Sequence, residues 1–543
     1  MSVHSITPAE NITTTIADPQ PIVLDQPEDE ELTSIKSKKL ELEGSDDPNP
    51  IDSLNDSNHE IEKELPDPYL VTFDGGDDDK EDASRLSNFH KWIIVLIISL
   101  GSLCVTSISS SWSLVSDQIM EDFHISQEVS TLGISLYIWG LGTGGMFLSP
   151  ISEFHGRKLV YIMGISLTLA FQFLTAFSSN IGGVLFGRFM SGFAGSSFMS
   201  VASGSFSDLF KARKNSGSGD ANKDLALALV LYSVSPFIGP CTGPLIAGFV
   251  SQHMIYNWTF FILIMWTAVV LFLVICFVPE TYEPVLLVKK AKRLRNETGD
   301  DKYYAPLERV NVTLYESVIV SSRRPFLLIF KDNMTMALCF YTGFTLAVVY
   351  MFFVAFPYIF STVYNFSLEQ QGMSFIGLMV GMVSTSIISP PIINRNYSRL
   401  LAKHNGVSKP EFRFIPLMAG VFIVPIGLFI IAWTSYAHVH WIAPIIGSAV
   451  YGVGTILVFN GIFAYTVEAY RLYAASAMAT NSFIRSLMSG VFPLFGIQMY
   501  EGMGIQWATT LLALFACVLI PIPFVFYKYG ERLRAKSPYA WSG

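Results

Sequence analysis

The sequence predicts an all-α membrane protein, with twelve transmembrane helices in two six-helix halves and both termini cytoplasmic. Three observations carry this reading: the composition, a series of long apolar runs, and a one-sided distribution of Lys and Arg. Of the 543 residues, 51% are hydrophobic, 14% aromatic and 15% charged, against about 25% charged in a soluble domain. Mean hydropathy is +0.43. The net charge of −9 averages two unlike regions. Residues 1–88 hold 23 acids and 6 bases, a net −17, and the remaining 455 residues hold 21 acids and 29 bases, a net +8. An acidic tail therefore precedes a basic, apolar body. This excludes a secreted disulfide-bonded domain, a cytosolic enzyme and a nucleic-acid-binding protein. The five cysteines (Cys104, Cys241, Cys276, Cys339 and Cys517) each lie in an apolar run, and none is in a CxxC pair. They read as small core hydrophobes, with no disulfide framework or metal site.

Residues 1–88 are rich in Asp, Glu, Ser, Asn and Pro. Such a stretch buries too little apolar surface to offset its ordering entropy, so a disordered cytoplasmic tail is expected. No charged n-region and apolar h-region open the chain, so no cleaved signal peptide is expected and the first span directs insertion. Lys36, Lys38 and Lys39, set among serines and acids, are either sites of modification for turnover or part of a solvated tail.

From Trp92 the pattern changes to apolar runs of roughly 20 residues, the length that crosses about 30 Å of hydrocarbon as helix. Spans are predicted at 92–112, 129–149, 158–178, 181–205, 225–250, 259–279, 333–358, 371–391, 413–433, 441–463, 474–499 and 506–527. Lipid offers the backbone no partner, so each span is a helix. The loops at 113–128, 179–180, 251–258, 359–370, 434–440 and 500–505 contain no Lys or Arg. Two of the 29 bases after residue 88, Arg188 and Arg485, lie inside spans, and the other 27 lie in the alternate loops and helix flanks. The positive-inside rule makes that basic set cytoplasmic. The body then divides into an N-terminal half (89–279), a cytoplasmic linker loop (280–332), a C-terminal half (333–527) and a cytoplasmic C-terminus (528–543). The linker opens with the basic, amphipathic Leu287–Arg295, which is expected to lie at the anionic inner leaflet.

A weak internal repeat supports the division. Gly192 in span four is followed sixteen residues later by Asp208, and Gly452 in span ten sixteen residues later by Glu468. Both acids sit at cytoplasmic helix ends. Two six-helix halves related by an axis along the membrane normal form the major facilitator architecture.

Charged and glycine-rich motifs supply the candidate functional residues. The loop after span two, PISEFHGRK, brings Glu153 and Arg157 to a tight turn at Gly156, where charge pairs between helix ends can hold one conformation of a rocking carrier. A charge inside a span costs several kcal/mol unless it faces a cavity or a partner. Arg188 and, closer to the cytoplasm, Arg485 are therefore candidates for function, with pairing to backbone carbonyls as the competing role. Span five reads SPFIGPCTGPLIAGF, in which Gly239, Gly243 and Gly248 with Pro240 and Pro244 form a bent, smooth face suited to a gate between the halves.

Taken together, these motifs resemble the fungal branch of the twelve-span drug:proton antiporters of the major facilitator superfamily, over residues 67–543. The loop after span two looks like that branch's P-x-S-E-x-x-G-R-[KR] motif. Arg188 with Gly192 matches the motif of span four, and GPCTGPLIAGF matches the antiporter motif with Ala247 in place of a usual Gly. VPETY (278–282), FIRS (483–486), PLF (493–495) and the closing PIPFVFYKYG are further matches. The resemblance implies a major facilitator fold, proton-coupled export of drug-like or amphipathic compounds, and a role for Arg188 in proton transfer. The chain departs from the pattern in a longer Gly/Ser-rich loop at 211–224, an acidic stretch at 74–82, and Glu468 where Asp is usual. These departures leave the subfamily and the substrate open.

The spans hold almost no acid near the membrane midplane, because Glu153, Asp208 and Glu468 all fall near the inner face. The central cavity is then expected to be aromatic and polar-neutral, drawing on Tyr137, Trp139, Gln172, Tyr232, Tyr341, Tyr350, Asn460 and Asn481. Such a pocket suits varied apolar solutes. Protonation near Glu153, Asp208 or Arg188 would bias alternating access between the halves. An acidic outer mouth (Asp117, Glu121, Asp122 and Glu128) either attracts organic cations such as polyamines or reflects the removal of bases from outer loops. A proton-coupled importer and a non-transporting sensor share this topology. A membrane enzyme would need clustered His, Ser or Cys chemistry that the scattered histidines do not supply. The chain is expected to act as a monomer in the plasma membrane, or alternatively the vacuolar membrane, on a small molecule and protons, with no cofactor, metal or nucleic acid. Asn365-Phe-Ser367 is an external glycosylation sequon.

Overall fold

The first helix begins where the sequence turns apolar. Ser87 accepts a hydrogen bond from the His90 N–H and starts Asn88–Ser111. The structure is a computed structural model that describes residues 67, 69–73, 82–211, 218–309, 314–404, 409–537 and 539–540. The chain divides at Pro68, and the helical body belongs to the unit Tyr69–Gly543. The remaining main helices are Gln127–His155 (second), Arg157–Phe177 (third), Ile181–Gly195 (fourth), Ser218–His253 (fifth) and Asn257–Phe277 (sixth). After the linker come Asn333–Tyr364 (seventh), Leu368–Met373 with Ile376–Lys403 (eighth), Phe414–Thr434 (ninth), Ile442–Tyr470 (tenth), Ala474–Met503 (eleventh) and Ile505–Leu519 running into Pro521–Lys536 (twelfth).

Ten helices of the described residues are long and apolar enough to cross a membrane. The fourth and eleventh fall outside that set, and they are the two that carry Arg188 and Arg485. The fourth continues past Gly195 as two short helices, Ser197–Ser200 and Ala202–Leu209. The eleventh is 30 residues long, but its first half is rich in Ser, Thr, Asn and Arg. The fourth packs on the second and third helices, and the eleventh on the second and seventh.

The packing repeats with a shift of six helices. The first helix lies along the fifth, the second along the fourth, and the third along the fourth and sixth. Correspondingly, the seventh lies along the eleventh, the eighth along the tenth, and the ninth along the tenth and twelfth. The halves meet through the second and eleventh helices and through the fifth and eighth, two pairings that exchange under the same shift. The weak sequence repeat therefore marks a structural one. A β-carbon at Gly192 would overlap the Tyr137 carbonyl of the second helix, and one at Gly452 would stand 2.8 Å from the Leu378 carbonyl of the eighth. Small residues let the backbones approach this closely.

Three stretches differ from the sequence expectation. Most of the tail, with Lys36, Lys38 and Lys39, lies outside the described residues, but residues 69–73 pair with the linker. The Val71 N–H donates to the Tyr304 carbonyl (3.0 Å) and the Tyr304 N–H to the Tyr69 carbonyl (3.0 Å). The linker is largely helical, Glu283–Thr298 and Leu314–Lys331. The apolar face of Glu283–Thr298, expected against lipid, is instead covered: Leu287 and Ala291 pack with Val71 and Ala305. Burial against protein satisfies that face without a bilayer. The C-terminal residues continue the twelfth helix, and Arg534 is buried against Glu411.

Candidate functional site

The first charged cluster forms at the end of the body that carries the basic loops. Gly156 joins the second and third helices with φ of +95°, a conformation that L side chains rarely adopt. A β-carbon there would also overlap the Glu280 carboxylate. Glu280, just after the sixth helix, accepts from the Arg157 N–H (2.8 Å), the Lys158 N–H (3.2 Å) and the N–H groups of Thr281 and Tyr282 (both 3.0 Å). An anion is thereby set on the N-terminus of the third helix, where the helix dipole favours it. The Arg157 side chain points elsewhere. Its guanidinium donates to Ser152 Oγ (2.6 Å) and Asp208 Oδ2 (3.4 Å), and it lies 4.6 Å from the Tyr282 ring centroid. Burial pushes the Asp208 carboxyl up to about 6, against the opposing pull of the Arg157 charge.

Glu153, grouped with these residues in sequence, is exposed and forms no hydrogen bond or ion pair among the described residues. Glu280 takes the place at the turn that the sequence assigned to Glu153. It was visible only as a letter of the VPETY signature, because helix capping by a residue 123 positions away has no local pattern. Glu280→Ala is expected to leave two N–H groups of the third helix unsatisfied. The cost is about 1–2 kcal/mol of stability, with Glu280→Gln losing less. Thermal denaturation of the purified protein measures both.

The equivalent corner of the second half has the same logic. Glu468 accepts from Arg413 Nε (2.8 Å) and the Tyr397 hydroxyl (3.3 Å), and Arg413 lies 3.8 Å from the Tyr397 ring centroid. Arg157 and Asp208 are 51 residues apart and Arg413 and Glu468 are 55 apart, so an acid–base pair recurs at matching helix ends. Arg413 has no distinguishing signal in the sequence, where it is one of many bases at helix flanks.

Arg188 is 2% exposed and donates to three backbone carbonyls: Gly133 (2.9 Å), Ile108 (2.8 Å) and Ser109 (2.9 Å). Its guanidinium lies 4.6 Å from the Tyr137 ring centroid and 5.1 Å from that of Trp112. It thus pins the fourth helix to the first and second through backbone acceptors. A small cavity beside it is lined by Ile108, Gln172, Thr175, Ser191, Phe260 and Leu263. Gln172 Oε1 and Ser191 Oγ make no hydrogen bond among the described residues.

The glycine–proline motif of the fifth helix serves two contacts. β-Carbons at Gly239 and Gly243 would overlap Thr106 and Ser110 of the first helix, within the same half. Ser107 and Thr242 hydroxyls bond at that crossing (2.6 Å). Gly248 and Pro244 meet the other half, at the Leu368 carbonyl and Gly372. Pro240 is buried within the first of these contacts. The motif is therefore a packing face within the first half for most of its length, and an inter-half contact only at its end.

The expected central cavity is redistributed. Tyr137 is fully buried with its hydroxyl on the Val105 carbonyl (2.8 Å), and Gln172 donates to Thr267 (2.9 Å), both inside the first half. Tyr232 donates to the Phe198 carbonyl (2.8 Å) in the same half. Tyr341 is buried in the second half, Asn481 donates to Thr342 (2.7 Å), and Asn460 donates to Ser389 (3.3 Å). Two of the eight reach across: Tyr350 bonds Ser109 (2.8 Å), and Trp139 Nε1 donates to the Leu487 carbonyl (3.1 Å). Tyr137, Gln172, Tyr232, Asn460 and Asn481 each donate within one half, although Gln172 Oε1 and Asn481 Oδ1 make no hydrogen bond among the described residues. The seam instead gathers Phe237, stacked on Phe459 at 5.5 Å, with Phe463 and Arg485, which sequence reading did not combine. At the base-free end the halves are joined by Gln498 with Glu128 (3.0 Å), His253 with Glu369 (3.2 Å) and Gln252 with the Leu368 N–H (3.0 Å). Two acids of the outer mouth are thus engaged, Glu128 with Gln498 and Asp122 with the Tyr256 hydroxyl (2.5 Å).

Two six-helix halves that repeat one packing pattern, each with an arginine inside a helix, have the architecture of a multi-pass membrane transport protein. The chain matches the Major Facilitator Superfamily profile over residues 96–493. It belongs to that superfamily. It is similar to the Saccharomyces cerevisiae protein named "Probable drug/proton antiporter YHK8", at 47% identity over 97% of this chain and 98% of that one. It is also similar to the Aspergillus terreus "Efflux pump atB", at 39% identity over 87% and 90% of the two chains. Among solved structures it resembles the partially occluded inward-open xylose transporter XylE of E. coli, with a TM-score of 0.58 and 12% identity, over 81% of this chain and 98% of that one. That likeness concerns the fold alone.

Proposed function

We propose that this chain is a proton-coupled antiporter that exports small amphipathic compounds by alternating access between its halves. The observation that carries the reading is the paired arrangement of buried charges, Arg188 on three carbonyls and Arg157 on Asp208, in a superfamily member whose relatives bear antiporter and efflux-pump names. The distribution of Lys and Arg supports twelve spans with both termini cytoplasmic. With that orientation the end joined by Glu128, Glu369 and Gln252 faces outward, and Asp208 faces the cytosol. The plasma membrane is the proposed location.

Asp208 is the proposed proton-sensing carboxylate. It is charged, and paired with Arg157, above about pH 6, and it takes up a proton as the pH falls through that value. The pair is then lost, and with it one of the ties between the third helix and the continuation of the fourth. Efflux of a labelled compound panel should be compared in cells with and without the protein, with and without a protonophore. Retention should be lower in expressing cells, and the protonophore should remove the difference. In inside-out vesicles, lowering the pH on the cytoplasmic face through 6 is expected to change the transport rate of the wild type. Asp208→Asn, uncharged at every pH, is expected to show a flatter profile. Equal retention in both cell types would remove the exporter reading, and an unaltered pH profile in Asp208→Asn would remove Asp208 from the coupling.

A further inference from the structure

Arg188 and Arg485 both lie within helices of the body but in unlike surroundings. Arg188 has an acceptor for each of its donating nitrogens. For Arg485 no acceptor occurs among the described residues, and its buried Nε atom is without a hydrogen bond. What surrounds it is aromatic: the ring centroids of Phe463 and Phe459 lie 5.4 and 5.7 Å from the guanidinium. Tyr350 of the seventh helix and Tyr232 of the fifth are close enough to interact with its charge. The fifth helix belongs to one half and the eleventh to the other, so this group sits on the seam. Arg485, Phe463, Phe237 and Tyr232 are each half-buried, although all four lie well inside their helices. Asp208 and Glu468 are committed to Arg157 and Arg413, and no carboxylate is among the groups whose charge acts on Arg485.

We infer that this seam is the substrate site and that it is built for an amphipathic organic anion, an aromatic carboxylate or sulfonate. The inference deepens the exporter reading above and rests on it. An aromatic face attracts a cation through its quadrupole but offers no lone pair to N–H donors. The guanidinium is half-buried among rings with its buried Nε unmet, an arrangement that an incoming acceptor relieves. A carboxylate or sulfonate presents two or three oxygens to the planar fork of donors. The aromatic body of the same solute then lies against Phe459, Phe463 and Phe237. A neutral solute keeps the ring contacts but leaves the charge unmet, and a cation adds repulsion. The polyamine and organic-cation alternative raised by the outer acids is thus disfavoured at the seam.

The test uses the full-length purified protein and three probes that share one ring system: 1-naphthalenesulfonate, 1-naphthamide and 1-naphthylmethyl-trimethylammonium. Binding is followed by fluorescence in detergent, and proton-driven uptake is followed in inside-out proteoliposomes. The wild type is expected to bind the sulfonate at least ten-fold more tightly than the amide, and the ammonium most weakly. Arg485→Gln is expected to abolish the preference for the sulfonate while retaining amide binding, and Arg485→Lys to restore it in part. Retained amide binding shows that the variant is folded. Equal binding of sulfonate and amide by the wild type, or an unchanged preference in Arg485→Gln, would overturn the anion assignment. If a proton gradient drives the amide but not the sulfonate, the anion assignment fails and the exporter reading stands. If it drives none of the three probes, the exporter reading fails.

Discussion

Arg188→Ala is expected to lower proton-dependent efflux at least a hundred-fold, to the level of cells lacking the protein. The truncation removes the group that joins three carbonyls on two helices: Ile108 and Ser109 of the first and Gly133 of the second. Hydrogen bonds to a charged donor each contribute about 1.5–3 kcal/mol net. Loss of three charge-assisted hydrogen bonds, together with the lost ring contacts to Tyr137 and Trp112, costs about 3–5 kcal/mol. Arg188→Lys keeps the charge but places one compact ammonium where a planar fork reaches three acceptors, so it is expected to restore stability in part and transport little. The measurement is efflux normalised to surface expression, alongside melting of the purified variants. Proton-dependent efflux persisting in Arg188→Ala at normal surface expression would remove the residue from the coupling.

The second large effect is expected at Gly192. A β-carbon there overlaps the Tyr137 carbonyl oxygen, and β-carbons at Gly140 and Gly144 overlap the carbonyls of Phe189 and Phe193. The second and fourth helices therefore touch backbone to backbone along three glycines. A valine at Gly192 cannot be relieved by a rotamer change, because its obstacle is main chain. Gly192→Val is expected to destabilise by about 3 kcal/mol or more, with most of the protein lost to aggregation. Gly145→Ala is the control, since its β-carbon stands 3.5 Å from Ser200 in ordinary contact, and it is expected to melt with the wild type. Fluorescence-detected size exclusion after a heat step separates the two. Recovery of Gly192→Val equal to that of Gly145→Ala would show that the second and fourth helices can part at this crossing without loss.

Much of the fold was legible because the forces that shape it act locally along the chain. An apolar run of about 20 residues is a span wherever it occurs. The fourth helix, interrupted after Gly195, and the eleventh, polar in its first half, were still marked by their arginines, because a charge in a span demands a reason. The repeat was visible only in Gly192 with Asp208 and Gly452 with Glu468, and the helix pairings extend it to the whole body. Glu280, Arg413 and the Phe237–Phe459 stack were not legible. Each depends on a partner 55 or more residues away, and no periodicity records such a pairing.

The chain by itself determined that this is a helical membrane protein of the major facilitator superfamily, which residues are buried charges, and which ends of the helices carry bases. Those properties follow from transfer free energies and charge placement, which each segment settles alone. Only the tertiary structure decided which buried groups find partners. Arg188 meets three carbonyls and Arg485 meets rings, although both looked alike as single letters in apolar runs. Most of the expected cavity residues proved to be internal fastenings for the same reason: inside a membrane a polar atom must be satisfied by whichever helix lies beside it, and the sequence does not say which helix that is.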